Sequence, residues 1–300
     1  MKRTIALLAV LGMVMTACAT EGGDSTTTTA DSGVTSTDAP APETTTTEPG
    51  PSCAKEDLNL VTPGQLTIGT DDPSFPPWFD FDGGPSTGTG FESAVAYAVA
   101  AELGFTADEV VWTVVPFNNS YAPGEKDFDF DINQISITEE REQAVDFSDG
   151  YYTVNQALLG FSDSDIAGAT SLDDLKGYVL GAQVGTTSLD FIEEVIQPDA
   201  DPLVFDTNAD AKASFDAGQL DGLILDLPTA FFVSAVEIEG SAVIAQFPTG
   251  DDEGEQFGML FEEGNPLRDC VNGALENVDL DAIQDEWLSN VVDAPVIETS

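Results

Sequence analysis

Between Ile166 and Phe247 the chain alternates short apolar runs with helical stretches, and this alternation restricts the fold more than any other feature. Ser171 can cap a short helix that ends at Gly177, and Tyr178-Val179-Leu180 reads as a strand. Gly185-Thr186-Thr187 then leads into a helix over residues 188–196. A strand at Leu203-Val204-Phe205, a helix over 209–217, a buried strand at Leu223-Ile224-Leu225, a helix over 227–236 and a strand over 242–247 follow. Strands alternating with helices predict an α/β architecture, with a mostly parallel sheet flanked by helices. The apolar share, 42%, is enough for a proper core.

Similar units precede this region. Leu66-Thr67-Ile68-Gly69 reads as a strand, followed by a loop in which Pro76-Pro77 stands between Phe75 and Trp78. Such a stiff loop can present both aromatics in a fixed pose, or both can belong to the core. Gly90-Phe91-Glu92 opens a helix with Phe91, Ala94, Val95, Ala98 and Ala101 on one face, closed by Gly104. Strands are expected over 110–117, 127–135 and 258–261, and helices over 267–275 and 280–288 complete the chain.

Three places in this frame carry charge chemistry. After Asp131 the alternation puts Ile132, Gln134, Ser136 and Thr138 on one side, and Asn133, Ile135 and Ile137 on the other. A helix is expected to start with Thr138 as its cap, which places Arg141 in the first turn, where the macrodipole disfavours a cation. Arg141 is either a surface residue among acidic neighbours or the fork that holds a ligand carboxylate. Gly185-Thr186-Thr187, a glycine at a strand end before a helix, offers N–H groups and hydroxyls to an anion, with simple capping by Thr187 as the alternative. Asp226 ends a strand where open α/β sheets place their ligands, and it can also cap the helix before Pro228. One arginine, one anion-binding helix start and one aspartate give the electrostatic outline of an α-amino acid.

Composition removes several function classes. The chain has no histidine, which excludes Ser-His-Asp and Cys-His catalysis and His-ligated zinc. Eight basic residues stand against 55 acidic ones, a formal net charge of −47 that repels nucleic acid and anionic lipid. Self-repulsion on this scale predicts a melting temperature that rises with salt, as adaptation to a saline medium would require. Residues 1–17 read as a secretory leader, with Lys2 and Arg3 before an apolar run too short to span a bilayer. Met15-Thr16-Ala17-Cys18 resembles the lipobox of bacterial lipoproteins, which implies lipidation of Cys18; cleavage after Ala17-Cys18-Ala19 is the alternative. Residues 18–52 are rich in Thr, Ser, Asp, Glu, Pro and Gly, the composition of a disordered tether reaching roughly 30–35 Å from its anchor. Lipidating Cys18 leaves Cys53 and Cys270 as a disulfide pair.

Several short segments together resemble the extracellular solute-binding proteins of family 3, the amino-acid-binding components of ABC importers. They are Ile68-Gly69-Thr70-Asp71, Phe75-Pro76-Pro77, Gly90-Phe91-Glu92, Ser136-Ile137-Thr138-Glu139-Glu140-Arg141, Val145-Asp146-Phe147-Ser148, Tyr151-Tyr152, Leu172-Asp173-Asp174-Leu175-Lys176-Gly177, Gly185-Thr186-Thr187, Leu220-Asp221-Gly222 and Asp226. The resemblance covers about residues 64–290. It implies a two-lobed periplasmic-binding-protein-like fold of type II, with lobes joined by two crossing strands. Lobe one would be residues 53–153 plus 255–300, and lobe two residues 154–254.

By the same resemblance Arg141 clamps the ligand α-carboxylate with help from Thr186, Asp226 meets the ammonium, Ser136 is a hydrogen-bonding neighbour and Phe75 covers the side chain. Thr187, Gln134 and Trp78 join the expected site, and either Asp71 or Asp72 faces the cleft, with Asp72 preferred. Asn118-Asn119 and Asn133-Gln134 depart from the family at positions that line the side-chain pocket. Lys55, Lys126, Lys176, Lys212 and Arg268 are all expected away from the cleft. Acidic ligands should therefore bind poorly, and polar neutral or basic amino acids better. The implied protein is an exported monomer held to the outer face of the membrane through Cys18, serving an ABC permease with no cofactor, metal or catalytic residue. An enzyme resembling cyclohexadienyl dehydratase, using Glu92 or Asp226, and a receptor-linked sensor are the alternatives.

Overall fold

The computed structural model describes residues 52–249, 254–291 and 294–299. The leader, Cys18 and all of the expected tether except Ser52 lie outside the described residues. In chain order the strands are β1 (Leu66–Thr70), β2 (Val110–Val114), β3 (Phe130–Asp131), β4 (Val145–Phe147), β5 (Tyr152–Val154) and β6 (Gln156–Phe161). They continue with β7 (Leu180–Gln183), β8 (Leu203–Phe205), β9 (Gly222–Asp226), β10 (Ser241–Phe247), β11 (Glu255–Phe257) and β12 (Leu260–Glu262). The α-helices are α1 (Phe91–Glu102), α2 (Phe117–Ser120), α3 (Leu172–Leu175), α4 (Thr187–Asp190), α5 (Asn208–Asp216), α6 (Leu227–Phe232), α7 (Leu267–Leu275) and α8 (Leu280–Trp287).

These strands form two five-stranded sheets, ordered β2-β1-β3-β12-β4 and β10-β6-β9-β7-β8. In each, two neighbouring pairs run parallel and two antiparallel, so both sheets are mixed and not mostly parallel as the alternation suggested. The reason is that β12 and β6, next to the interlobe ribbon, enter antiparallel to both of their neighbours. The antiparallel ribbon of β5 with β11 links the lobes, with Tyr152 opposite Phe257 and Val154 opposite Glu255. This is the two-lobed type II architecture that the sequence implied.

Each sheet buries apolar side chains on both faces. In the first lobe α1 presents Phe91, Val95, Ala96, Val99 and Ala100 to the core, together with β1 and the C-terminal helices α7 and α8. The buried stripe is thus rotated from the one read off the sequence, because Ala94, Ala98 and Ala101 are too small to decide the facing. Phe191 and Phe247 meet on one face of the second sheet, and Phe161 stacks on Phe215 at 4.7 Å on the other. Cys53 and Cys270 are joined, with Cα atoms 5.4 Å apart and 217 residues between them in sequence. The bond ties the start of the folded region to α7, and a loop of that length corresponds to about 5 kcal/mol in the chain-entropy model.

Three expectations fail for identifiable reasons. The strand expected over 127–135 is regular only at β3, because Gln134 adopts φ 49 and turns the chain out of the sheet. The helix expected after Thr138 is a single 3-10 turn, Arg141–Gln143, although the Thr138 hydroxyl does accept from the Arg141 amide at 3.2 Å. The C-terminal segment does not stay with lobe one. Gln246 donates its amide to Pro295 O at 2.8 Å, Ile297 donates to Gln246 O at 3.0 Å, and Ala294 and Ile297 are buried against the second sheet. Those apolar side chains find uncovered hydrophobic surface beside β10.

Candidate functional site

Between the lobes lies a cavity of about 120 Å³. Its wall from lobe one comes from the loop after β1 (Asp71, Asp72, Phe75, Trp78), from Phe117 at the start of α2, and from Asn133, Gln134, Ser136 and Arg141. Lobe two supplies Gln183 at the end of β7, Thr186 to Ser188, the start of α5 with Lys212, and Asp226 and Thr229. Every side chain proposed as a ligand contact from the sequence lines this one cavity, but several sit there in a different role.

Arg141 is 7% exposed and makes no ion pair among the described residues. Its Nη1 donates to Ser136 O at 2.7 Å, and its Nη2 donates across the cleft to Gly185 O at 3.0 Å. The guanidinium lies 4.9 Å from the Tyr121 ring and 5.5 Å from the Phe117 ring, as cation–π contacts require. Burial works against its charge, opposed by Tyr121, Glu255, Asp190 and Asp226. Two of its N–H groups are used on carbonyls and others remain. Gly185 has φ +72, a conformation that residues with a side chain rarely adopt, and a Cβ there would also press on the tips of Tyr121 and Asn118, so glycine suits this approach of the lobes.

The two threonines exchange the roles expected of them. Thr186 caps α4: its hydroxyl accepts from the Leu189 amide at 3.2 Å and donates to Gln183 O at 2.8 Å. Thr187 keeps its hydroxyl for the cleft, 3.4 Å from Ser136 Oγ and 3.4 Å from Gln156 Nε2. The helix begins one residue earlier than the sequence suggested, and that shift reassigns the pair. Ser136 Oγ also donates to Glu255 Oε1 at 2.6 Å.

Asp226 immediately precedes α6, yet its side chain makes no cap hydrogen bond. Oδ1 accepts instead from Gln156 Nε2 at 3.0 Å, and Gln156 is itself held by Ser188 Oγ at 2.5 Å. Burial raises its carboxyl from 3.8 to about 8, reinforced by Glu255 and Glu92 and opposed by the Gln156 bond and Arg141. No ion pair reaches Asp226 among the described residues.

The far end of the cavity is less like its forecast. Trp78 is fully buried among Phe91, Tyr152 and Phe257, and its Nε1 donates across the cleft to Thr229 Oγ1 at 2.8 Å. It is a core aromatic whose polar edge touches the other lobe. Both Asp71 and Asp72 line the cavity, but Asp71 spends its oxygens on the amides of Asp72 at 2.7 Å and Phe117 at 3.2 Å. Gln134 is held by Glu92, whose carboxylate accepts from the Gln134 amide at 2.6 Å, from Gln134 Nε2 and from the Tyr151 hydroxyl. Burial raises the Glu92 carboxyl to about 7. Asn133 lines the cavity as expected, whereas Phe117 does so in place of Asn118 and Asn119.

Lys212 is the residue that sequence reasoning missed. It was expected on a lobe-two helix away from the cleft, but its Nζ stands 4.2 Å from the centroid of the Phe75 ring on the opposite lobe. It is also paired with Glu237 at 2.7 Å. Its place, five residues after Thr207 caps α5, turns it toward the cleft; no feature of the local sequence announces that.

Residues 66–290 match the model of the bacterial extracellular solute-binding proteins, family 3. Among curated proteins, the arginine-binding extracellular protein ArtP of Bacillus subtilis (strain 168) is 28% identical over 211 residues, covering 67% of this chain and 78% of ArtP. Among solved structures, an ancestral arginine-binding protein bound to glutamine is 29% identical with a TM-score of 0.63, covering 75% of this chain and 98% of that one. The ancestral amino acid-binding protein AncCDT-1, described as a precursor of cyclohexadienyl dehydratase, is 28% identical with a TM-score of 0.61, covering 75% of this chain and 95% of its own.

Proposed function

The chain belongs to the bacterial extracellular solute-binding proteins of family 3, the amino-acid-binding components of ABC importers, and from that premise we propose that it closes on an α-amino acid held between Arg141 and Asp226. One observation carries this reading. The cavity contains a buried cation, Arg141, without a carboxylate partner and a carboxyl group, Asp226, without a cation partner among the described residues. An unpaired charge in this setting is costly, which keeps the empty site's Asp226 protonated below about pH 8. An amino acid's carboxylate and ammonium supply the counter-charges that Arg141 and an ionised Asp226 lack. Thr187 offers its hydroxyl to the carboxylate, Ser136, whose proton goes to Glu255, stands beside it, and the remaining N–H groups of Arg141 take its oxygens.

The acids Asp71, Asp72 and Asp226 share this cavity, so a polar neutral or basic side chain fits better than an acidic one. The arginine, glutamine, cystine and histidine named for its relatives are consistent with that class. Because Arg141 bridges the lobes to Gly185 O, a ligand at this point stabilises the closed form over the open one. We place the exported protein at the outer face of the membrane as a monomer anchored through Cys18, passing its ligand to an ABC permease. Calorimetric titration against the twenty amino acids, with wild type and Arg141→Ala, tests the reading. Binding of one chemical group of amino acids, lost in the variant, supports it, and equal binding by the variant refutes it.

One observation favours a dehydratase as the second reading: Asp226 lines the cavity with no cation partner among the described residues, and burial lifts its carboxyl to about 8, which suits proton transfer. Turnover of a prephenate-like acid, abolished in Asp226→Asn, would establish it.

A further inference from the structure

Taking the amino-acid reading as its basis, we infer that Lys212 and Asn133 set the specificity of the cavity for a side chain ending in a carboxamide, at the expense of basic side chains. Lys212 comes from α5 in one lobe and Phe75 from the loop after β1 in the other, so their 4.2 Å contact crosses the cleft. The ammonium is fixed from behind by Glu237 at 2.7 Å, and the two side chains are only 13% and 19% exposed. Displacing Lys212 would leave Glu237 without its cation in a largely dry setting.

Phe75 therefore already carries a cation over its ring. A ligand guanidinium or ammonium seeking that aromatic would stand beside a like charge. Asn133 also lines this cavity and is 7% exposed, and its Nδ2 is a buried donor with no hydrogen-bond partner among the described residues. A cation and an unpartnered donor both call for an acceptor oxygen. A carboxylate would supply one, but Asp71 and Asp72 line the same cavity and Glu237 already offsets Lys212. A neutral carboxamide meets the donors without adding charge. Its own N–H groups can turn toward the acidic loop or toward Gln183 Oε1, which already accepts from the Asn208 amide at 2.7 Å.

The test is calorimetry of the whole protein with L-glutamine, L-glutamate and L-arginine, on wild type, Lys212→Met and Asn133→Ala. Wild type is expected to bind glutamine at least tenfold more tightly than either charged amino acid. Lys212→Met should shift the arginine-to-glutamine affinity ratio at least tenfold toward arginine, and Asn133→Ala should weaken glutamine about tenfold while sparing arginine. Tighter binding of arginine than glutamine by wild type overturns the inference, as does an unchanged ratio in Lys212→Met. Should that variant fail to fold, the wild-type ratio and Asn133→Ala decide. Binding of other amino acids but not glutamine defeats the inference alone, whereas binding of no amino acid at all defeats the amino-acid reading with it.

Discussion

The two ends of the cavity are built on different principles. At one end Arg141, Ser136, Gly185 and Thr187 meet around a buried cation, with Asp226 on the same cavity, and each is fixed by a neighbour within hydrogen-bonding reach. At the other end Phe75, Asn133 and Lys212 arrive from three separate segments and depend on how the lobes meet. The first arrangement suits the invariant part of an amino acid, its carboxylate and ammonium. The second suits discrimination, because a change of one residue there alters the pocket without disturbing the anchor. Recognition and selectivity are thereby separable in this fold.

That separation can be broken by experiment. The largest effect is expected from Asp226→Asn, which should weaken every amino-acid ligand at least a hundredfold, about 3 kcal/mol, because the ammonium loses its buried counter-charge. A loss confined to one ligand would show that the two ends are not independent. Next comes pH. Asp226 is raised to about 8, so below that pH the empty site holds a neutral carboxyl that must lose its proton to meet an ammonium. Affinity should therefore rise with pH from 6 to 8, by up to about tenfold per unit. The slope should be the same for all ligands and absent in Asp226→Asn, as titrations at successive pH values would show.

Arg141→Lys should cost roughly ten- to thirtyfold for all ligands, since an ammonium cannot span Ser136 O, Gly185 O and a carboxylate as a planar fork does. The smallest effect belongs to Thr229→Val. It removes the Trp78 hydrogen bond across the cleft, worth about 1 kcal/mol, and should weaken ligands about fivefold by favouring the open form. Small-angle scattering of the empty protein would register that shift toward opening.

The sequence revealed the anchoring end far better than the selective one. Arg141, Gly185 and Asp226 are legible because each stands at a local boundary, a turn or a strand end, where its residue type is uncommon or pointed. The exchange between Thr186 and Thr187 was not legible, since both can cap a helix and only the true start of α4 separates them. Gln134 breaks the strand pattern with a φ of 49, and the carboxylate that holds its amide belongs to Glu92, 42 residues away. Lys212 lies beyond any local reading, because its partners Phe75 and Glu237 come from distant segments. The tail from Ala294 was misassigned for the same reason, its binding surface being formed by β10.

The central claim is that one ligand satisfies Arg141 and Asp226 together. The most direct measurement is titration of the wild-type protein with its best amino acid and with two analogues of it, one lacking the amino group and one lacking the carboxyl group. The account predicts that each analogue binds at least a hundredfold more weakly than the parent. Binding of the deaminated acid as tightly as the parent would contradict it, because Asp226 would then have no ammonium to hold.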